Sequence, residues 1–388
     1  MKKLLYFILP LTLLTSSCAK SQPPPQTDSN YTWNQFSMGV DLSYVNAIED
    51  AGGKYFQSGQ AKDAFTIMQS LGANTVRVRI WHNPQWLAAL NNNRFYSDLY
   101  DAEKTIRRAK ALGMAVNLDF HYSDDWADPA HQNIPAAWQN ANLSVLKDSV
   151  YQYTLRVLNY LAAKNLTPEM VQVGNETNGG MLWPIGRIVN DQNWSSFGQL
   201  INSGVKAVRD FAANSSIKPK IILHVAQIQN TRGWIQSLQL KGSVADYDIL
   251  GISHYYKWSD VNNMNTISDS IRSLRNYTGK DVMIVETAFP WTNNNVDNYN
   301  NMLYQTTSEV AGYAISPVGQ AAYLRDLTQA VITGGGKGVM YWEPAWITSN
   351  LRDPWGVGST WDNATFFDFR GNLLTGINYM KRKYTFPR

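Results

Sequence analysis

From residue 38 onward, short apolar and β-branched runs recur along the chain, each followed by a polar segment and then by a stretch of helical periodicity. The runs are Met38 to Leu42, Thr75 to Ile80, Ala115 to Phe120, Met170 to Gly174, Ile221 to Val225, Ile249 to Ser253, Val282 to Val285 and Gly338 to Trp342. Their length and composition predict strands, largely apolar on both faces, as in a parallel sheet covered on each side. Amphipathic helices are predicted at Ala61 to Leu71, Leu99 to Leu112, Leu143 to Lys164, Trp194 to Ala213 and Val318 to Thr333. Lys110 to Gly113 and Thr333 to Gly338 read as helix stops that turn into the next strand. Repetition of this unit predicts an α/β fold, a (β/α)8 TIM barrel, as one domain over residues 35–388. An open doubly wound sheet is the alternative, but no glycine-rich dinucleotide fingerprint follows the first strand.

Residues 1–34 do not share this pattern. Lys2 and Lys3 precede an apolar stretch from Leu4 to Leu14, then Thr15, Ser16, Ser17 and Cys18, the only cysteine. The stretch is too short to span a bilayer and reads as a signal peptide over residues 1–17. A lone cysteine directly after a small-residue site resembles a bacterial lipoprotein signal, with Cys18 lipidated. The competing readings are an ordinary secretory signal with an incidental cysteine, or a buried thiol. Residues 18–34 are rich in Pro, Gln, Ser and Asn and read as a flexible tether. The expected location is the bacterial cell envelope, attached to membrane by lipid alone. Ala19, where an aspartate often retains lipoproteins at the inner membrane, leans toward the outer membrane.

The charge balance adds an exclusion. Net charge is +4, from 34 basic and 30 acidic residues, and +2 without Lys2 and Lys3. That is too little for a nucleic-acid footprint. By contrast, 14 Trp and 21 Tyr in a chain with 16% charged residues supply many flat rings with polar edges, which suit sugar faces. Barrel enzymes work at the C-terminal ends of their strands. Those ends hold Asp41; Arg79, Trp81 and His82; Asp119, His121 and Tyr122; Asn175 and Glu176; His224; His254, Tyr255 and Tyr256; Glu286; and Trp342 with Glu343. Glu176 and Glu286, after the fourth and seventh strands, would face each other across the mouth as a carboxylate pair able to split a glycosidic bond. The plainer reading of Glu286 is an ion pair with Arg79, which would itself help keep a nucleophile charged. None of the five histidines has metal-ligand spacing.

Five stretches carry a family resemblance: Gly39-Val-Asp-Leu-Ser43; Val76 to Trp81 with Asn83-Pro84; Val171 to Glu176 through Gly180-Met-Leu-Trp-Pro184; Ile284-Val-Glu-Thr287; and Ser359-Thr-Trp-Asp-Asn363 with Phe367-Asp-Phe369. Over nearly the whole chain after the tether they resemble the endo-β-1,4-galactanases of glycoside hydrolase family 53. The resemblance implies that Glu176 is the acid/base and Glu286 the nucleophile of a retaining hydrolase. It implies β-1,4-galactan or galacto-oligosaccharide, the side chains of type I arabinogalactan, as substrate, with no cofactor needed for chemistry. Asp41, Arg79, His121, Trp126, Asn175, Trp183, His254, Tyr255, Trp342 and Trp346 are the expected sugar contacts. An endo-xylanase or endo-mannanase on the same barrel, or a catalytically silent glycan-binding lipoprotein, is the alternative. No nucleic-acid partner is expected, and a monomer is.

A last candidate lies in the loop after the seventh strand. Asn295, Asp297, Tyr299 and Asn301 place oxygens at every second residue, a spacing that can wrap a hard cation. Members of the resembled family bind calcium between this loop and the next, which adds Ser359 and Asp362. Asn295 departs from the acidic pattern, and a solvated Asn-rich loop is the competing reading.

Overall fold

The computed structural model describes residues 35–387. The signal segment, Cys18 and the tether lie outside the described residues. Eight strands form a closed barrel: β1 (Ser37–Asp41), β2 (Thr75–Ile80), β3 (Ala115–Phe120), β4 (Met170–Val173), β5 (Lys220–Ala226), β6 (Ile249–Ser253), β7 (Asp281–Glu286) and β8 (Gly338–Tyr341). Every pairing is parallel, and β8 returns to β1 to complete the ring. Parallel strands need a crossover between them, which here is supplied by helices on the outside.

Alternation along the strands sorts residues between the outer core and the interior of the barrel. Val116, Leu118, Phe120, Val171, Val173, Leu223, Val225, Ile252 and Ile284 belong to the large cluster shared with the helices. Ala115, Met170, Ile222, Ile249, Met283, Val285 and Met340 form a separate apolar plug inside. Gly39 keeps the plug tight, since a Cβ there would lie 2.4 Å from Met340 Cγ. Toward the C-terminal ends the interior turns polar, with Asp41, Arg77, Asp119, Gln172 and His224 all buried. The fold thus pairs a dry base with a charged upper layer.

The helices are α1 (Val45–Asp50), α2 (Ala64–Ser70), α3 (Gln85–Leu90), α4 (Leu99–Ala111), α5 (Leu143–Ala162), α6 (Trp194–Ala213), α7 (Ile228–Leu240), α8 (Met264–Thr278) and α9 (Pro317–Thr333). Helix α2 begins later than the expected Ala61, because Asp63 caps it by accepting from Thr66 N at 2.8 Å and Ala61 pairs in a short ribbon. Helices α1, α3, α7 and α8 were not expected. Helix α8 buries only Ile267, Ile271 and Leu274 among its apolar residues, yet Asn263 caps its start and Gly279, at φ +65°, ends it.

Candidate active site

Arg77, not Arg79, organises the polar upper layer. Its Nη1 meets Asp41 Oδ2 at 3.0 Å, and its Nη2 lies 2.8 Å from Asp119 Oδ2 and 2.7 Å from Glu286 Oε1. The same Nη2 donates to Asn175 Oδ1 at 2.8 Å. One buried guanidinium therefore ties the ends of four strand segments together. The alternative reading of Glu286, an ion pair with Arg79, does not hold: Arg79 turns to Glu343 at 3.3 Å, and it is Arg77 that pairs with Glu286.

Glu286 reaches the groove through an irregularity in β7. Met283 and Val285 belong to the interior plug, so regular alternation would send Glu286 outward. The β6–β7 register shifts, however, from Ile252↔Ile284 to Ser253↔Glu286. Such a shift re-aims a side chain, and Glu286 lines the groove with Tyr255 donating to its Oε2 at 2.9 Å. Glu176 sits just past β4 with φ +44°, a left-handed backbone that a residue with a Cβ seldom adopts. Its N–H donates to His224 Nδ1 at 3.2 Å. That leaves the proton of His224 on Nε2, facing Ser253 Oγ at 2.9 Å.

The two carboxyls differ in their surroundings. Burial, then the charge of Glu286, lifts the Glu176 pKa well above the ordinary carboxylate range. Burial also raises Glu286, but Arg77 and Tyr255 oppose the rise. Of the pair, Glu176 keeps the proton. His121 is neutral: burial lowers its pKa, Ala127 N donates to its Nδ1 at 3.0 Å, and its Nε2 faces Asp119 at 3.1 Å.

Above these groups lies an open groove of about 790 Å³. Trp342 stands beside the carboxyl pair, cradled edge-on by Trp361 at 4.6 Å and by Trp346 at 6.0 Å between centroids. The groove runs out to two rings exposed to solvent, Trp258 (40%) and Trp355 (62%). Carboxylates with opposed protonation, set in a sugar-sized groove floored by indoles, can cleave a glycosidic bond.

The family model of glycosyl hydrolase family 53 matches residues 37–380. The chain belongs to this family. It is 42% identical over 353 residues to an arabinogalactan endo-β-1,4-galactanase of Cellvibrio japonicus, covering 90% of this chain and 91% of the relative. It is 33% identical over 378 residues to an endo-β-1,4-galactanase of Bacillus subtilis, covering 88% and 84%. Among solved structures, the family 53 catalytic domain of Ignisphaera aggregans superposes with a TM-score of 0.81 at 33% identity, covering 94% of this chain and 99% of that one.

Of the expected sugar contacts, His121, Trp126, Asn175, Tyr255, Trp342 and Trp346 line the groove of this family 53 barrel. Four others do not. Asp41 is fully buried, held by Arg77 and by the N–H and hydroxyl of Ser43. Arg79 lies under aromatic rings. His254 is sealed in the core with neither ring nitrogen partnered among the described residues, and burial pushes its pKa down to about 4; it serves through its backbone N–H, which donates to Glu286 O at 2.8 Å. Trp183 is turned aside, its Nε1 donating to Gly179 O at 2.9 Å and its ring under Arg187. Asn178, Gln227 and Asn230 line the groove unforeseen. Their signal was position alone, just beyond β4 and β5.

The loops after β7 and β8 meet through Asp297, whose Oδ2 accepts from Thr348 Oγ1 at 2.6 Å and from Ser359 N at 2.8 Å. Asn295 donates to Tyr299 O, and Ser359 Oγ to Trp346 O, so these members of the expected cation set are engaged within the protein. Among the described residues neither carboxylate oxygen of Asp362 has a donor in close hydrogen-bond contact, nor does Asn301 Oδ1, although the Asn301 amide and the N–H groups of Val296 and Asn363 lie near enough to the carboxylate to oppose the rise in its pKa. Burial lifts Asp362 to about 7. Among the described residues, no cluster of three or more His, Cys, Asp or Glu is placed to hold a metal. The fit to a hard cation therefore rests on Asp362 and Asn301.

Proposed function

We propose that this family 53 glycosidase is an endo-acting, retaining β-1,4-galactanase acting on type I arabinogalactan. The observation that carries the reading is the pair Glu176 and Glu286, set in one groove with Arg77 and Tyr255 bonded to Glu286. Full-length similarity to galactanases supports the sugar.

In the first step a Glu286 oxygen bonds to the anomeric carbon, the glycosidic C–O bond breaks, and the Glu176 proton passes to the departing oxygen. In the second, water bonds to the same carbon and gives its proton to Glu176, while the bond to Glu286 breaks. Arg77 and Tyr255 hold the nucleophile. Trp342 receives the face of the attacked sugar, and Asn175, whose Nδ2 donates one hydrogen to Ala127 O at 2.7 Å and which lines the groove, keeps a second for a sugar hydroxyl. Reducing-sugar release is expected from β-1,4-galactan and not from xylan or mannan, with the β-anomer as first product by NMR. Cleavage of xylan or mannan in its place, or an α-anomer first, would overturn the reading.

Two further assignments belong to this proposal. A structural calcium would be held by Asp362 and Asn301, with Asp297, Tyr299, Asn295 and Ser359 around it; the Asp362 carboxylate and Asn301 Oδ1, with no donor in close hydrogen-bond contact among the described residues, support this. It would supply no chemistry, only a tie between loops. The chain would act as a monomer anchored in the envelope through a lipid on Cys18, an assignment supported by the pattern of residues 1–18.

A further inference from the structure

Arg79 and Glu343 form a buried ion pair that touches neither catalytic carboxyl. Arg79 is 1% exposed and Glu343 fully buried. Their contact is one 3.3 Å approach between Nη1 and Oε1, and a second of 3.3 Å runs from Nη2 to Ser97 Oγ. Arg79 Nε and Glu343 Oε2 have no hydrogen-bond partner among the described residues. A guanidinium placed for charge alone would present its fork to the carboxylate with two short bonds. Here its flat faces are used instead. Arg79 Cζ lies 4.2 Å from the ring centroid of Trp126, 4.5 Å from that of Tyr44 and 4.6 Å from that of Trp81.

Of these three rings, only Trp126 lines the groove. No described residue hydrogen-bonds its indole, so its plane is set by contacts with the guanidinium and with neighbouring rings. Trp81 stands against it at 5.0 Å and 84°, and Tyr44 at 5.8 Å and 80°. Trp126 in turn leans on Trp342 at 6.0 Å and 55°. The other end of the ion pair reaches the same place: Glu343 directly follows Trp342, with φ +46°.

We propose that Arg79 is a positioning residue that acts through Trp126. Stacked beneath that indole and held by Glu343, it sets the angle between Trp126 and Trp342, and so the seat for the sugar rings beside the cleavage point. The proposal rests on the galactanase reading and deepens it.

The test is a double-mutant cycle on a galacto-oligosaccharide of defined length, using Arg79→Lys, Trp126→Ala and both together, with melting temperatures measured alongside. Lysine keeps the charge for Glu343 but has no flat face. Arg79→Lys is expected to raise KM roughly five- to tenfold with kcat within about twofold, the scale of one lost stacking contact. Trp126→Ala should raise KM at least as much, and the double variant no further than Trp126→Ala alone. An unchanged KM in Arg79→Lys, a fall confined to kcat, or losses that multiply in the double variant would overturn the proposal. If Arg79→Lys does not fold, Arg79→Met with Glu343→Gln removes both charges and should show the same KM effect. Failure of both to fold would assign the pair to stability and overturn the proposal too. The galactanase reading is judged separately, on wild-type turnover, and the variant ratios are read on whichever β-glycan the wild type cleaves.

Discussion

Arg77 carries one positive charge among three buried carboxylates, Asp41, Asp119 and Glu286. Removing one partner of a buried pair leaves the others uncompensated, which costs about 3–5 kcal/mol. Arg77→Met is therefore expected to lower stability by at least that range in urea unfolding, and to abolish turnover, since Glu286 would then take up a proton. A variant as stable as the wild type would show that Arg77 is dispensable to the layer. The carboxyl pair sets the pH profile. On the proposed mechanism activity needs Glu286 ionised and is lost as pH falls through its pKa; it needs Glu176 protonated and is lost as pH rises through its raised pKa. Glu176→Gln should erase the alkaline limb on an aryl galactoside whose leaving group needs no proton, with a severe loss on galactan. An alkaline limb that survives would place the acid elsewhere.

At the level of strands, helices and loops, the eight strands were legible because each is a short apolar run between turn signals. Helices α7 and α8 were not. Gly233 interrupts the first, and the second buries little beyond three apolar residues and Ser268. Arg77 and Arg79 lie on the same face of β2 by alternation, and nothing local distinguishes them. Only the packing of Tyr44 and Trp126, brought in from other segments, together with Trp81 just past the strand, draws Arg79 aside. The register shift that turns Glu286 inward is likewise a property of two strands, invisible in one. The loops after β7 and β8 carry their own test. With its folded pKa raised to about 7, Asp362 binds a proton more tightly folded than unfolded, so stability should fall as pH rises from about 4 to 7. A cation favours the ionised form and should reverse that loss. Calcium is thus expected to raise the melting temperature more at pH 7.5 than at pH 5, and to add about 2.7 kcal/mol of stability at a hundredfold excess over its Kd. Equal curves with EDTA and with millimolar calcium at pH 7.5 would return Asp362 and Asn301 to an ion-free loop.

Across the whole molecule, no helix among the described residues is long and apolar enough to cross a membrane. Attachment, on the proposal above, falls to Cys18 alone. Cys18→Ala should move the protein from the membrane to the soluble fraction with unchanged specific activity on galactan, and retention in the membrane fraction would reveal another anchor. The geometry of the barrel gives this arrangement a further meaning. The described chain enters at the N-terminal end of β1, and Phe386 near its other end packs against Phe36 there, ring centroids 6.1 Å apart. Both ends thus emerge on the rim opposite the groove. A resin bead or a fused binding module joined directly at either of these described ends would be attached on the far side and leave the front clear for a polymer too large to diffuse around it.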